Sequence, residues 1–317
     1  MRKRLFSGHD RDVSLETRIG SVTLPNPVMT ASGTSGHGSE LAAFADLNDL
    51  GAVVVKSLCA TRFNGNDAPR LYPLPVGMLN SVGLQGPGLK AWIEHDLPAA
   101  ARNAERIVVS IWGRTVEDYA KAAAILKGSP AVKRSVIAVE VNVSCPNIED
   151  RSRMFAHSVT ATSEAVAAAE CGLPRWAKLS PNTHEICEVA AAALQAGAEA
   201  LTLVNTAMGV AVDVERRSAV LGAVGGGLSG PALKPIAMRA VWECRDAFPD
   251  ASIIGVGGVA SGVDALEMIM AGANAVQVGT ATFRDPRAPW KVISEIRSWC
   301  KKNGETRLED LVGVAHA

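Results

Sequence analysis

A closed (β/α)8 barrel, the TIM-barrel fold class, is what this sequence predicts, and three observations predict it. Short, nearly continuous apolar runs recur along the 317 residues, helix-period stretches lie between most of them, and polar or glycine residues stand at the C-terminal end of the runs. Such runs read as strands buried on both faces, as in a parallel sheet covered by helices. A first strand is expected around Asn26 to Ala31. AVVVK at 52–56, IVVSI at 107–111, VIAVEVNV at 136–143 and WAKL at 176–179 follow, then ALTLVN at 200–205, SIIGVGG at 252–258 and AVQVG at 275–279. Helices are expected over 115–127, 161–171, 185–196, 233–247 and 262–271. Lys56, Asn142, Lys178, Asn205, Gly257–Gly258 and Gly279–Thr280 fall at or just past strand ends. A barrel gathers those ends at one mouth, whereas an open doubly wound sheet would scatter them along an edge. The dinucleotide fingerprint of the open sheet is also missing, since the glycines of SGTSGHG at 32–38 have the wrong spacing. No linker or low-complexity tract divides the chain, so one domain over 1–317 is expected. Two segments, 57–90 and 207–232, exceed ordinary connections and are expected as extended loops over the C-terminal mouth.

Composition narrows the chemistry. Thirty-two basic side chains balance 32 acidic ones, leaving no positive excess for nucleic acid or anionic lipid. The most apolar long stretch, Val189 to Val214, contains Gln195, Glu199 and Asn205, which argues against a membrane span. The basic N-terminus lacks the apolar core of a secretory signal, so a cytoplasmic protein is expected. Six cysteines without a CxxC pair read as free thiols and could not hold an iron–sulfur cluster or structural zinc. Small-molecule chemistry is the expectation.

GVGG at 255–258 and VGT at 278–280 expose backbone N–H groups just before helices, in the position after strands seven and eight where barrels commonly bind phosphate. Glycines there also permit tight turns, but two such motifs in register favour a phosphate-bearing ligand. Lys56 and Lys178 end buried strands, where an ammonium needs an anionic partner, and an anionic ligand with an anionic cofactor would satisfy both. NVSCPN at 142–147 leaves the fourth strand with amides, a hydroxyl and a thiol. Most cysteines are small buried hydrophobes; Cys145, beside polar groups with no packing reason to be there, reads as reactive, either nucleophile or general base. No histidine pairs with it in sequence, so a Cys-His hydrolase has little support.

Taken together, NVSCPN, AKLSPN at 177–182, LVNTAMG at 203–209, GGGLSGPALKPIA at 225–237, GVGGV at 255–259 and VGTATF at 278–283 resemble the class 1 dihydroorotate dehydrogenases. GMLNSVGLQGPGL at 77–89 and TASGTSGHG at 30–38 resemble the B subclass. The likeness runs from about Leu15 to Ala288 with its motifs in order. It implies oxidation of dihydroorotate to orotate in pyrimidine biosynthesis, with FMN in the barrel mouth. By that resemblance Cys145 is the base that removes the C5 proton while hydride leaves C6, and Lys178 lies beside the flavin N1 and C2 carbonyl. Flavin contacts carry over to Ser32, Lys56, Ser57, Ser110, Asn142 and Val204, and to Gly230, Gly257, Gly258, Gly279 and Thr280. Substrate contacts carry over to Lys56, to Asn80, Ser81, Val82, Gly83 and Leu84, and to Asn142, Asn147, Asn205 and Thr206. Amides suit a ring with two carbonyls, two N–H groups and a carboxylate, because each both donates and accepts.

The likeness has gaps. IEDRSRMFAHS at 148–158 replaces a Gly-Gly loop, with Arg151, Ser152 and Arg153 inside it; Ser110 stands for a usual Asn, Trp112 is bulkier than expected, and Gly86 stands where Asn is common. The subclass passes electrons to NAD through a separate subunit carrying FAD and an iron–sulfur cluster, so such a partner and a homodimer are expected. The alternatives are a fumarate-using A-subclass enzyme, or another FMN-dependent barrel acting on a related dihydropyrimidine.

Overall fold

The computed structural model of the chain describes residues 13–147 and 153–316. Eight parallel strands form its centre: β1 Val28–Thr30, β2 Val53–Val54, β3 Ile107–Ile111, β4 Val136–Asn142, β5 Arg175–Lys178, β6 Ala200–Leu203, β7 Ser252–Val256 and β8 Ala275–Val278. Each of the eight apolar runs supplies one of them. Hydrogen bonding runs β1-β8-β7-β6-β5-β4-β3-β2. The seam between β2 and β1 is closed by a parallel bridge from Met29 to Ala52. It is a sparse seam, with Gly51 N donating to Val28 O (2.8 Å) and Thr30 N to Ala52 O (3.3 Å). Hydroxyls do the rest: Val54 N donates to Thr30 Oγ1 (2.8 Å) and Ser35 Oγ donates to Val54 O (2.8 Å).

Helices α1 Val116–Lys127, α2 Val159–Ala168, α3 Ile186–Gln195, α4 Lys234–Ala247, α5 Gly262–Met270 and α6 Ala288–Asn303 pack outside the strands. Thr115 and Asp118 form a reciprocal capping box on α1, and Ser158 and Ser261 cap α2 and α5; such caps satisfy amide groups that a helix start leaves without partners. Side chains alternate between the two faces of a strand, which splits the core in two. One face of each strand joins the helices, while Met29, Val54, Val108, Ala138, Trp176, Ala200, Ile254 and Ala275 fill the lower barrel. A hairpin of Thr17–Ile19 and Val22–Leu24 plugs that end, with Ile19 and Leu24 fully buried in the same cluster.

The long segments 57–90 and 207–232 contain more than loop. Ala207–Val210, Gly225–Ser229, Gly77–Asn80 and Leu71–Leu74 pair in that order as an antiparallel sheet. Gly227, which pairs with Asn80, is placed where a Cβ would lie 2.1 Å from Thr206 Oγ1, and Gly226 where one would lie 2.5 Å from Asn80 O. The close approach only glycine allows thus brings segments well over a hundred residues apart against one another. No helix among the described residues is long and apolar enough to cross a membrane.

Candidate active site

Two residues further along four of the inward-facing rows, the barrel's chemistry changes. Val108 is followed by Ser110 and Trp112, Ala138 by Glu140 and Asn142, Trp176 by Lys178 and Ser180, and Ala275 by Gln277 and Gly279. Because the side-chain period of a strand is two, these residues share the interior face and rise toward the mouth.

The first polar layer is a buried charge cluster. Lys178 Nζ lies 3.3 Å from Glu140 Oε1, donates to Ser32 Oγ at 2.9 Å and reaches Gln277 Oε1 at 3.5 Å, while Gln277 Nε2 donates to Glu140 Oε2 at 2.7 Å. Glu140 and Gln277 are fully buried. The anionic partner that Lys178 requires is therefore supplied at least in part by the chain itself. Neither Glu140 nor Gln277 was singled out from sequence, yet each is a polar interruption of an apolar run, two residues before an expected site position. Taking both charges out of water is expensive, and a pair so placed is retained only with its remaining hydrogen bonds satisfied. Lys56 differs: its ammonium has no partner among the described residues, and burial lowers its pKa from the usual value.

From this layer upward runs a chain of amides and hydroxyls. Ser57 Oγ and Ser110 Oγ are 2.8 Å apart, Asn142 Nδ2 donates to Ser57 Oγ (3.4 Å), and Asn205 Nδ2 donates to Asn142 Oδ1 (3.1 Å). Asn205 Oδ1 accepts from Thr206 N at 2.8 Å. Asn182, not among the expected contacts, donates to Ser180 Oγ (2.8 Å) and Thr206 O (3.1 Å) and so braces that turn. From the antiparallel sheet, Asn80 Nδ2 donates to Gly227 O at 3.2 Å, and Ser81 Oγ accepts from Asn66 Nδ2 at 2.8 Å. Val82 O accepts from Asn66 N, next to Gly83. Val204, after β6, is buried and donates its N–H to Val256 O.

Cys145 closes one side. Its thiol is buried, donates to Asn142 O at 3.6 Å, and sits in a small cluster with Cys59 and Trp112, against which Phe63 and Leu84 pack. Tyr119 Oη donates to the same Asn142 carbonyl at 2.8 Å. Burial, and then the neighbouring Cys59, push the Cys145 thiol far above its ordinary pKa, so at neutral pH it is neutral. Asn147 pairs with Arg153 in a short antiparallel bridge, whereas Arg151 and Ser152 lie outside the described residues.

The opposite side is a glycine cradle. A Cβ on Gly258 (φ +78°) would lie 2.5 Å from Lys234 Cβ, and one on Gly230 (φ +88°) 2.8 Å from Gly77 Cα. Both positions thus need glycine for conformation and for space. Thr280, which follows Gly279, donates through Oγ1 to Ser229 Oγ at 2.8 Å, joining the end of β8 to the turn that carries Gly230. Among the described residues, the N–H groups of Gly257, Gly258, Gly279 and Thr280 have no protein acceptor. Backbone donors of this kind beside the start of α4 favour an anion. A cleft of about 740 Å³ at the other end of the barrel, lined by Arg18, Glu199, Asp250 and Asn274 among others, includes none of the expected site residues.

The chain matches the family model described as dihydroorotate dehydrogenase over residues 14–299. It is 42% identical over 306 residues to the dihydroorotate dehydrogenase B (NAD(+)) catalytic subunit of Desulforamulus reducens, covering 96% of this chain and 99% of that one. The proteins of the same name from Desulforudis audaxviator (44% over 306 residues, 96% and 98% covered) and Geobacter sulfurreducens (41% over 305 residues, 96% and 98% covered) are similar at nearly full length.

Proposed function

The chain belongs to the dihydroorotate dehydrogenase family, and from that premise we propose that it is the catalytic subunit of an NAD-linked enzyme that oxidises dihydroorotate to orotate. The observation that carries the reading is a convergence: anion cradle, buried lysine, amide chain and thiol all meet at one barrel mouth.

The residues fit FMN. Free N–H groups at Gly257, Gly258, Gly279 and Thr280 suit its phosphate, and Ser32 and Lys178 meet through a 2.9 Å hydrogen bond where the resemblance puts the isoalloxazine ring. When bound, the flavin supplies the two-electron acceptor that takes hydride from C6 of the ring. Glu140 lies 3.3 Å from Lys178 and fixes its side chain in place, and a fixed cation there favours added negative charge on a neighbouring group. Asn80, Asn142, Asn205 and Thr206 hold the substrate's carbonyl and N–H edges, with Ser81, Val82, Gly83 and Leu84 lining its other side and Asn147 following the base. Such a site rejects rings that lack those groups. Lys56, without a partner among the described residues, suits the substrate carboxylate. Cys145 takes the C5 proton as thiolate, so turnover rises with pH as the buried thiol ionises.

Residues 1–317 act in this reading as one FMN-binding domain that forms a homodimer, and electrons leave through a second subunit bearing FAD and an iron–sulfur cluster. Anaerobic mixing of the purified protein with dihydroorotate tests it: the flavin's visible absorbance is expected to bleach. Unchanged absorbance overturns the reading, and brisk turnover of the isolated chain with NAD or with fumarate overturns the partner assignment.

A further inference from the structure

Trp112 carries a polar atom that nothing in the fold explains. It follows Val108 and Ser110 on the inward face of β3, is 2% exposed, and its indole Nε1 has no hydrogen-bond partner among the described residues. The ring is pinned. Phe63 meets it edge-to-face at 5.1 Å with planes at 82°, and its backbone N donates to Leu58 O at 3.0 Å. A buried N–H held in this way is costly unless an acceptor arrives, since a fixed ring cannot swing its donor to water.

Its surroundings say where the acceptor comes from. Trp112 shares its cluster with Cys145, and Leu84 packs on the same cluster; both belong to the substrate shell of the preceding section. Ser144, next to Cys145, carries a second buried hydroxyl without a partner among the described residues. Trp176 also has an unpartnered indole N–H, but it lies on the barrel floor among Met29, Val54, Val108 and Ile254, in a different cluster from Cys145 and Leu84.

We propose that the Trp112 indole N–H is a specificity-determining donor that bonds an oxygen of the ring substrate seated between Cys145 and Leu84. The inference rests on the dihydroorotate reading. It makes this wall of the pocket a recognising surface, polar at one point and otherwise apolar, so a ring without an oxygen there leaves the donor buried and unpaired.

Trp112→Phe removes the N–H while keeping an aromatic ring against Phe63. With flavin-loaded protein, calorimetric titration with orotate is expected to show roughly tenfold weaker binding in the variant, the value of one hydrogen bond near the upper end of its range. In ligand-free protein the variant's melting temperature is expected to stay level or rise, because an unpaired buried donor has gone. A purely structural tryptophan would give the reverse pattern, a lower melting temperature with unchanged affinity. On the unaltered protein, the ¹⁵N-labelled Trp112 side-chain resonance, identified by its loss in the variant, is expected to shift and exchange more slowly when orotate is added. Equal orotate affinity with an unmoved resonance overturns this proposal alone. Failure of the unaltered protein to bind orotate overturns the dihydroorotate reading and this proposal with it.

Discussion

The floor and the mouth of the barrel are built by the same strands and the same inward-facing rows, yet they obey opposite rules. On the floor every side chain in the row is apolar, Trp176 fills the space, and a hairpin shuts out water. One step higher the row carries Lys178, Glu140, Gln277, Ser110 and then Asn142, all buried and nearly all hydrogen-bonded within the chain. The contrast teaches that this barrel separates stability from chemistry by height. Substitutions below should change unfolding with little effect on the reaction, and substitutions above should do the reverse.

The strongest way to break that division is Cys145→Ala. Loss of a positioned base is expected to slow flavin reduction by dihydroorotate about 10²–10⁴-fold, with flavin still bound and unfolding little changed. Near-normal stopped-flow reduction would remove Cys145 from the base role. Its counterpart on the floor is Trp176→Ala, which should lower stability by about 3–5 kcal/mol in denaturant titration while the surviving folded protein reduces its flavin at the usual rate. A variant with impaired reduction at full occupancy would show that the floor is not chemically silent.

Glu140→Gln probes the border between the layers. It keeps the shape and removes the charge that faces Lys178, so about 3 kcal/mol of stability is expected to go. The flavin midpoint potential should rise, since an unneutralised cation favours the reduced, anionic ring. An unchanged potential would mean that Lys178 does not address the flavin.

The smallest effect is on pH. Cys145 in the mouth and Cys244 on α4, on the outer face of the sheet, both have pKa values raised chiefly by burial. Below the ordinary thiol value both folded and unfolded chains hold these protons, so neither thiol makes stability depend on pH. Above it the unfolded chain releases protons that the folded chain keeps, and stability falls by about 1 kcal/mol per thiol between roughly pH 8.5 and 9.5. Denaturation midpoints across that range should decline less steeply in Cys145→Ala than in the parent. Equal slopes would mean that the thiol ionises normally in the folded state.

Much of this architecture was legible in the residues. Strands buried on both faces must be nearly continuous apolar runs, and AVQVG or IVVSI cannot be hidden by context. The antiparallel sheet over the mouth was not legible as strands. GGGLS has almost no strand propensity, and its partner, Gly77–Asn80, lies about 150 residues earlier; only Gly227 against Thr206 and Asn80 in space reveals why glycine stands there. In the site, glycines and amides at strand ends announce themselves. Glu140 and Gln277 do not, because a single polar residue inside an apolar run gains its meaning only from which neighbour it meets across the barrel. Trp112 was visible as a bulky departure, but its unpartnered N–H exists only once Phe63 fixes the ring.

The seam between β1 and β2 has its own consequence. Seven of the eight joins are named strand ladders, whereas this one is a single bridge supplemented by Thr30 and Ser35 hydroxyls. Side-chain hydroxyls let go more easily than a continuous ladder, so amide exchange should begin there, at Thr30 and Val54, before it reaches β4 or β5. Ser32 stands just past one edge of that seam and Lys56 just past the other. The cylinder therefore has one weak line in its wall, and the first local opening of the molecule is expected to part the two edges that carry Ser32 and Lys56 at its own mouth.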